Sequence, residues 1–116
     1  MLKKVCKLAY DTFTVVLPTL NEEATIGKLV SYLISKYTGI SVLVVDDGST
    51  DATEEIVNRI SSSNKKVKLI NRKRLGLQKG LTASIVDGIK ASRTKYAIVM
   101  DADLQHPPSV VGKIAQ

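Results

Sequence analysis

Two carboxylates separated by one residue follow an apolar segment near the end of the chain. Asp101 and Asp103 come directly after residues 96–100 (YAIVM), and Gln105 adds an amide oxygen two positions later. Mg²⁺ and Mn²⁺ prefer such oxygen ligands and leave positions open for substrate phosphate. The segment therefore predicts a divalent-metal site held by these three residues. An acidic turn at a strand end is the competing interpretation.

Acidic side chains also follow two apolar segments upstream. Glu22 comes after residues 13–17, and Asp46 and Asp47 come after residues 42–45. A carboxylate at such a position can accept hydrogen bonds from a nucleobase N–H or a ribose hydroxyl, as in dinucleotide sites. It can also do no more than cap a helix.

The elements that must position these groups alternate regularly along the chain. Apolar, β-branched segments predict strands at residues 13–17, 42–45, 67–70 and 96–100, and amphipathic periodicity predicts helices between them. Asn21 is the predicted N-cap of the first helix, and Asp51 and Glu54 have the spacing of a capping box for the second. This rhythm predicts an α/β fold, a Rossmann-like parallel sheet with flanking helices. If the predicted strands, numbered along the chain, lie side by side in the order 3-2-1-4, the acidic residues that follow the first, second and fourth strands would line one cleft.

Size and composition fit one domain that binds an anionic partner. The chain has 116 residues, a net charge of +6 and 4% aromatic residues, which argues against a base-stacking nucleic-acid platform. The basic residues between Arg59 and Lys79 predict either a solvated face or an anion-binding rim beside the acidic cleft. Cys6 is the single cysteine, so a reducing, cytoplasmic location is expected. Neither a signal peptide nor a membrane-spanning apolar segment is visible in the sequence.

Three motifs together resemble a known enzyme family. They are residues 16–22 (VLPTLNE), 44–51 (VVDDGSTD) and 99–107 (VMDADLQHP), each at the end of a predicted strand. In this order they resemble the inverting family 2 glycosyltransferases of GT-A fold. The third motif is typical of the dolichol- or polyprenyl-phosphate mannosyl- and glucosyltransferases. The resemblance extends from Thr14 to the end of the sequence.

The resemblance implies a nucleoside-binding region in the first two motifs. Pro18, Leu20 and Glu22 would border the nucleoside, and Val45 and Asp47 would meet the base or the ribose. Leu20 stands where the family often has Tyr, so a stacking contact with the base would be absent here.

The third motif would hold the diphosphate of the donor and the metal. Asp101, Ala102 and Asp103 would bind the diphosphate through Mg²⁺ or Mn²⁺, with Gln105 as a further metal ligand. Catalysis would depend on Asp101 and Asp103, because the metal that they hold stabilises the leaving diphosphate.

The resemblance also implies a domain organisation, a donor and an acceptor. Residues 1–116 would be the donor-binding half of one GT-A domain, with residues 1–11 as an N-terminal extension, since the family's domain continues well past the third motif. The expected donor is a nucleotide-sugar of the GDP-mannose or UDP-glucose type. The expected acceptor is a polyprenyl or dolichyl phosphate, which predicts a peripheral contact with the cytoplasmic face of a membrane.

Two other functions compete with glycosyl transfer. A phosphoacceptor receiver domain has paired acids after its first strand and a phosphoacceptor such as Asp101 after a later one. Here, however, a full strand–helix unit precedes Asp46 and Asp47. The second alternative is a fragment that binds a nucleotide-sugar without turnover, since an intact Asp-x-Asp pair does not require catalysis.

Overall fold

The computed structural model describes residues 10–73, 76 and 80–102. After a short 3-10 turn at Tyr10–Thr12, the strands are β1 (Phe13–Thr19), β2 (Ser41–Asp46), β3 (Val67–Asn71) and β4 (Tyr96–Val99). The helices are α1 (Ile26–Lys36), α2 (Thr53–Ser63) and α3 (Leu81–Ala91). Each strand lies within two residues of its predicted bounds, and the predicted Rossmann-like α/β architecture is confirmed.

All four strands are parallel, and their order is β3-β2-β1-β4. The central strand β1 therefore has β2 on one side and β4 on the other. In the β1–β2 register, Pro18 lies opposite Val45 and Thr19 opposite Asp46. This order places the carboxyl ends of β1, β2 and β4 side by side, as the distribution of acidic residues predicts.

Helices cover both faces of the sheet, which explains why its strands are apolar without alternation. On one face, Val15 and Leu17 belong to the same buried cluster as Leu29 of α1 and Val57 of α2. On the other face, α3 packs against β1 and β2. A smaller buried cluster lies on that second face, formed by Val16, Leu43 and Val45.

Gly88 allows α3 to approach the sheet closely. A Cβ atom built at this position would overlap Cγ1 of Val16 and lie 3.0 Å from Cγ2 of Val45. The missing side chain thus sets the distance between α3 and the two central strands. This close approach also brings the first turn of α3 to the carboxyl ends of β1 and β2.

The predicted N-cap of α1 is wrong. The helix begins at Ile26, five residues after Asn21, and Asn21 has a φ of 57°. Its side-chain Oδ1 instead accepts the backbone N–H of Thr50 over 2.8 Å. Asn21 therefore joins the loop after β1 to the loop after β2, a contact that spacing along the chain does not reveal.

The predicted capping box of α2 does not form either. Asp51 Oδ1 accepts the backbone N–H of Thr53 over 2.9 Å, but Glu54 Oε2 accepts a hydrogen bond from Asn71 Nδ2 over 2.6 Å. Glu54 thus has a hydrogen-bond partner at the end of β3.

No helix in the part of the chain that the structure describes is long and apolar enough to cross a membrane.

Candidate functional site

A concavity of about 250 Å³ lies at the carboxyl ends of β1, β2 and β4. It brings together side chains that are far apart in sequence, including three carboxylates from three different strand ends, Glu22, Asp47 and Asp101. Six of the residues that the sequence predicts for the site line it: Pro18, Leu20, Glu22, Asp47, Asp101 and Ala102. Thr19, Leu81 and Ser84 complete the lining.

Three predicted site residues are not part of this lining. Asp103 and Gln105 lie outside the described residues. Val45 is fully buried and packs under α3 beside Val16, so its side chain does not reach the concavity. A contact between Val45 and the nucleoside therefore stays a prediction that the position of its side chain does not favour.

The two adjacent acids after β2 have different environments. Asp46 is fully buried, and its oxygens accept hydrogen bonds from Thr19 Oγ1 over 2.7 Å and from the N–H of Ser49 over 2.8 Å. It holds the loop between β2 and α2 in shape. Asp47 is partly exposed and lines the concavity. Of the pair, Asp47 is the carboxylate available to a ligand.

Asp47 is held in place by a buried arginine. Arg72 Nη1 donates to Asp47 Oδ1 over 2.6 Å, and Arg72 Nε donates to Asp87 Oδ2 over 2.8 Å. The backbone N–H of Gly80 donates to Asp47 Oδ2 over 2.9 Å. The hydrogen bond to Asp87 raises the pKa of Arg72 above its ordinary value, with a smaller contribution from Asp47, against the opposing effect of burial. The guanidinium is therefore a permanent positive charge behind the Asp47 carboxylate.

The backbone of the third motif is tied to the start of α1. Thr25 Oγ1 donates to the carbonyl oxygen of Ala102 over 2.5 Å. One residue before Asp101, the N–H of Met100 donates to the carbonyl of Val16 over 3.1 Å and extends the pairing with β1. These bonds fix the backbone on both sides of Asp101, so its carboxylate emerges from an anchored strand end.

The basic residues do not form one rim beside the acidic cleft. Lys65, Lys66 and Lys68 border a second concavity of about 600 Å³, which also involves Ser41 at the start of β2. They therefore lie at the opposite end of the sheet from Asp101. Arg72 is buried with two carboxylates. Arg74 and Lys79 lie outside the described residues.

The donor set at the concavity suits a hard divalent cation, because carboxylate oxygens are what Mg²⁺ and Mn²⁺ prefer. Within the described ranges, however, no group of three histidine, cysteine or acidic side chains lies close enough together to hold a metal ion. Asp101 is the one predicted metal ligand among the described residues. The other two predicted ligands, Asp103 and Gln105, lie outside the described residues.

Besides Thr19 and Leu81, sequence reasoning missed three residues that shape or line this site. Arg72 belongs to a basic run and gives no sign of burial, while Asp87 and Ser84 have the ordinary appearance of polar residues on an amphipathic helix. Their one visible signal is their position relative to Gly88. Ser84 lies one turn before Gly88 on the face that meets the sheet, and Asp87 adjoins Ser84 at i+3, at the edge of that face.

Comparisons with known proteins identify the family. The profile of "Glycosyl transferase family 2" matches residues 14–116. A dolichol-phosphate mannosyltransferase from Pyrococcus furiosus is 37% identical over 105 residues, which cover 89% of this chain and 29% of that protein. Another, from Mycosarcoma maydis, is 33% identical over 84% of this chain and 35% of its own length. The chain thus spans about a third of these relatives.

Solved structures share the fold. Glucosyl-3-phosphoglycerate synthase from Mycobacterium tuberculosis, in complex with Mn²⁺, UDP and glucosyl-3-phosphoglycerate, superimposes with a TM-score of 0.68. Its sequence is 30% identical, over 86% of this chain and 37% of that one. Staphylococcus aureus TarS has a TM-score of 0.71 and 26% identity, over 89% of this chain and 31% of its own. The sheet order, the helix placement and the family profile agree, and the chain belongs to glycosyl transferase family 2, with the GT-A fold.

Proposed function

We propose that this chain binds the nucleotide-sugar donor of an inverting, metal-assisted glycosyltransferase whose acceptor is a polyprenyl or dolichyl phosphate. The observation that carries the proposal is the convergence of Glu22, Asp47 and Asp101 on one concavity at the carboxyl ends of three adjacent strands. In open α/β sheets, ligands bind at this position. The receiver-domain alternative loses its support, because the family profile covers nearly the whole chain.

Each end of the concavity would meet a different part of the donor. Asp47 follows β2, and its ion pair with Arg72 fixes a carboxylate that can accept a hydrogen bond from a base N–H or a ribose hydroxyl. Asp101 follows β4, on the other side of β1, where the diphosphate would lie. The support for this orientation is the resemblance of the motifs, and the UDP in the complex of the mycobacterial synthase supports a nucleoside diphosphate as the ligand.

The divalent metal, Mg²⁺ or Mn²⁺, would be held by Asp101, Asp103 and Gln105. When bound, it supplies Lewis-acid stabilisation of the charge on the leaving diphosphate. Support comes from the oxygen-donor chemistry of these residues and from the Mn²⁺ in the complex of the mycobacterial synthase. The backbone anchoring of Ala102 by Thr25 would keep the Asp101 carboxylate oriented toward the diphosphate.

In the proposed reaction, an acceptor oxygen attacks the anomeric carbon from the side opposite the diphosphate. The new carbon–oxygen bond forms as the bond from the anomeric carbon to the diphosphate oxygen breaks, and the nucleoside diphosphate leaves with that electron pair. A lipid-phosphate acceptor is already an oxyanion, so no side chain has to remove a proton from it. The names of the curated relatives support this acceptor class. Such an acceptor would place the protein at a membrane surface, on its cytoplasmic side.

Calorimetric titration with UDP and GDP in the presence of Mn²⁺ tests the donor site. We expect one of the two nucleotides to bind, and Asp101→Asn to weaken that binding by more than about 10-fold, because it removes a ligand charge from the metal site. Asp11→Asn is the control, since Asp11 is exposed and lies near the opposite end of the sheet. Absence of binding for both nucleotides would refute the donor site.

Transfer to the acceptor needs a separate assay. Incubation of the full chain with the preferred nucleotide-sugar and a polyprenyl phosphate should release nucleoside diphosphate and form a glycosylated lipid. Donor binding with neither product would contradict catalysis by this chain and would favour the alternative of a binding fragment without turnover.

A further inference from the structure

The hydroxyl of Ser84 is buried at the wall of the concavity. Ser84 is 1% exposed, and its Oγ has no hydrogen-bond partner among the residues that the structure describes. The residue nevertheless lines the concavity. Buried hydroxyls in native proteins are almost always hydrogen-bonded, because burying one without a partner is costly. An orphan hydroxyl at the wall of an open site therefore indicates a bond that a ligand completes.

The position of Gly88 shows which part of the site Ser84 faces. Gly88 contacts Val16 and Val45, and Ser84 lies one helical turn earlier on the same face of α3. One turn of helix corresponds to about two residues of strand, so Ser84 is level with Pro18 and Asp47. It thus lies at the ends of β1 and β2, whereas Asp101 follows β4 on the far side of β1.

The first turn of α3 adds backbone N–H groups that are not bonded within the helix. Its N-cap is Gly80, which provides no side-chain cap, and the Gly80 N–H is already used by Asp47. The next backbone N–H groups of a helix have no partners within the helix. The hydroxyl of Ser84 can both donate and accept, unlike Asp47, which as a carboxylate can only accept.

This combination suits a nucleoside better than a phosphate. Base edges and ribose hydroxyls present donors and acceptors side by side, whereas a phosphate at neutral pH presents acceptors and negative charge. The carboxylate of Asp47 at the same end of the concavity disfavours a second anion there. Building on the proposed function, we propose that Ser84 Oγ hydrogen-bonds the nucleoside of the donor and helps to determine which nucleoside is accepted.

The test compares ligands that contain or lack a nucleoside. Calorimetry with the full chain and Mn²⁺ would use UDP, GDP and inorganic pyrophosphate, for the parent protein and for Ser84→Ala. We expect Ser84→Ala to lower the affinity for the preferred nucleoside diphosphate by roughly 3- to 10-fold, the effect of one neutral hydrogen bond. The affinity for pyrophosphate should be unchanged. Thr82→Ala is the matched control, because Thr82 is on the same helical turn but exposed.

A stability measurement separates ligand binding from a structural role. Without ligand, Ser84→Ala should have a melting temperature equal to or above that of the parent, since it removes an unpartnered buried hydroxyl. A structural hydroxyl would give the opposite result. Titration with ribose 5-phosphate, which lacks the base, then identifies the partner of the hydroxyl. If Ser84→Ala also weakens the binding of ribose 5-phosphate, the hydrogen bond is to the ribose. If it does not, the hydrogen bond is to the base.

The outcomes distinguish this inference from the function on which it rests. If the parent protein binds no nucleoside diphosphate, the proposed function fails. If the parent binds one and Ser84→Ala binds it equally well, only the role of Ser84 is refuted. The same holds if Ser84→Ala loses as much affinity for pyrophosphate as for the nucleoside diphosphate.

Discussion

Arg72 Nη1 lies 2.6 Å from Asp47 Oδ1, and the arginine side chain is 2% exposed although the residue belongs to the most basic stretch of the chain. The second carboxylate on this guanidinium comes from Asp87 of α3. One side chain therefore links the end of β3, the loop after β2 and the helix that closes the concavity. The orientation of Asp47 depends on all three.

Replacing Arg72 should affect both stability and nucleotide binding. In Arg72→Lys the charge is retained, but an ammonium cannot contact two carboxylates with the fixed fork of a guanidinium. We expect a lower urea midpoint and weaker nucleotide affinity, because Asp47 loses its orienting partner. Arg59→Lys is the matched control, since Arg59 pairs with Glu55 at an exposed site. Equal midpoints for the two variants would contradict a special role for Arg72.

Gly88→Ala should destabilise the protein although alanine favours helix. The propensity gain is about 1 kcal/mol, whereas overpacking against Val16 and Val45 costs about 1–3 kcal/mol. The added methyl overlaps Val16 within the packed sheet, so we expect a cost near the upper end of this range and a net loss of up to about 2 kcal/mol. Chemical denaturation measures the difference.

Gly27→Ala is the control for that substitution. Gly27 is also a helical glycine, but its added Cβ would lie 3.2 Å from Cγ2 of Ile56, a partly buried side chain that can shift by a few tenths of an ångström. We expect its free energy of unfolding to equal or exceed that of the parent. A Gly88→Ala variant as stable as Gly27→Ala would show that α3 can move away from the sheet.

Leu20→Tyr should tighten nucleotide binding. Leu20 lines the concavity and is 52% exposed, so the aromatic ring of a tyrosine fits there without repacking the core. Stacking of a base on an aromatic ring contributes about 1–3 kcal/mol, which predicts at least about a 5-fold gain in affinity for the preferred nucleoside diphosphate. Val86→Tyr, on an exposed part of α3 outside the concavity, should change nothing. No gain in Leu20→Tyr would mean that the base lies elsewhere.

The stabilising contribution of ionised Asp51 should be lost in acid. Burial opposes its ionisation, but hydrogen bonds from the side chain and N–H of Thr53 and from the N–H of Glu23 outweigh this and hold the pKa of Asp51 below its ordinary 3.8. The folded state thus binds fewer protons than the unfolded state, so the contribution is present above pH 3.8 and disappears as the pH falls through the lowered pKa. Urea unfolding at several pH values between 6 and 3 should show a smaller acid loss for Asp51→Asn. Identical pH profiles would exclude this contribution.

The sequence by itself determined the strands, the approximate helices and the carboxyl ends of the strands as the place of the site, whereas the strand order β3-β2-β1-β4 entered only as a condition that the structure met. Apolar segments of strand length and helical periodicity are local properties, so the bounds of β1 and β4 can be predicted within two residues. The polar groups that follow those strands could be grouped because parallel strands end at one edge of a sheet. Family motifs then assigned chemistry to Asp47 and Asp101.

Only the tertiary structure decided where individual polar side chains point. Asp46 and Asp47 are identical and adjacent, yet one is fully buried beside Thr19 and the other faces the concavity, because strand geometry sends successive side chains to different sides. The Asp87 partner of Arg72 and the buried hydroxyl of Ser84 both belong to α3, which packs closely against the sheet at Gly88. Such contacts join residues distant in sequence, and their energies depend on burial, which no local pattern contains.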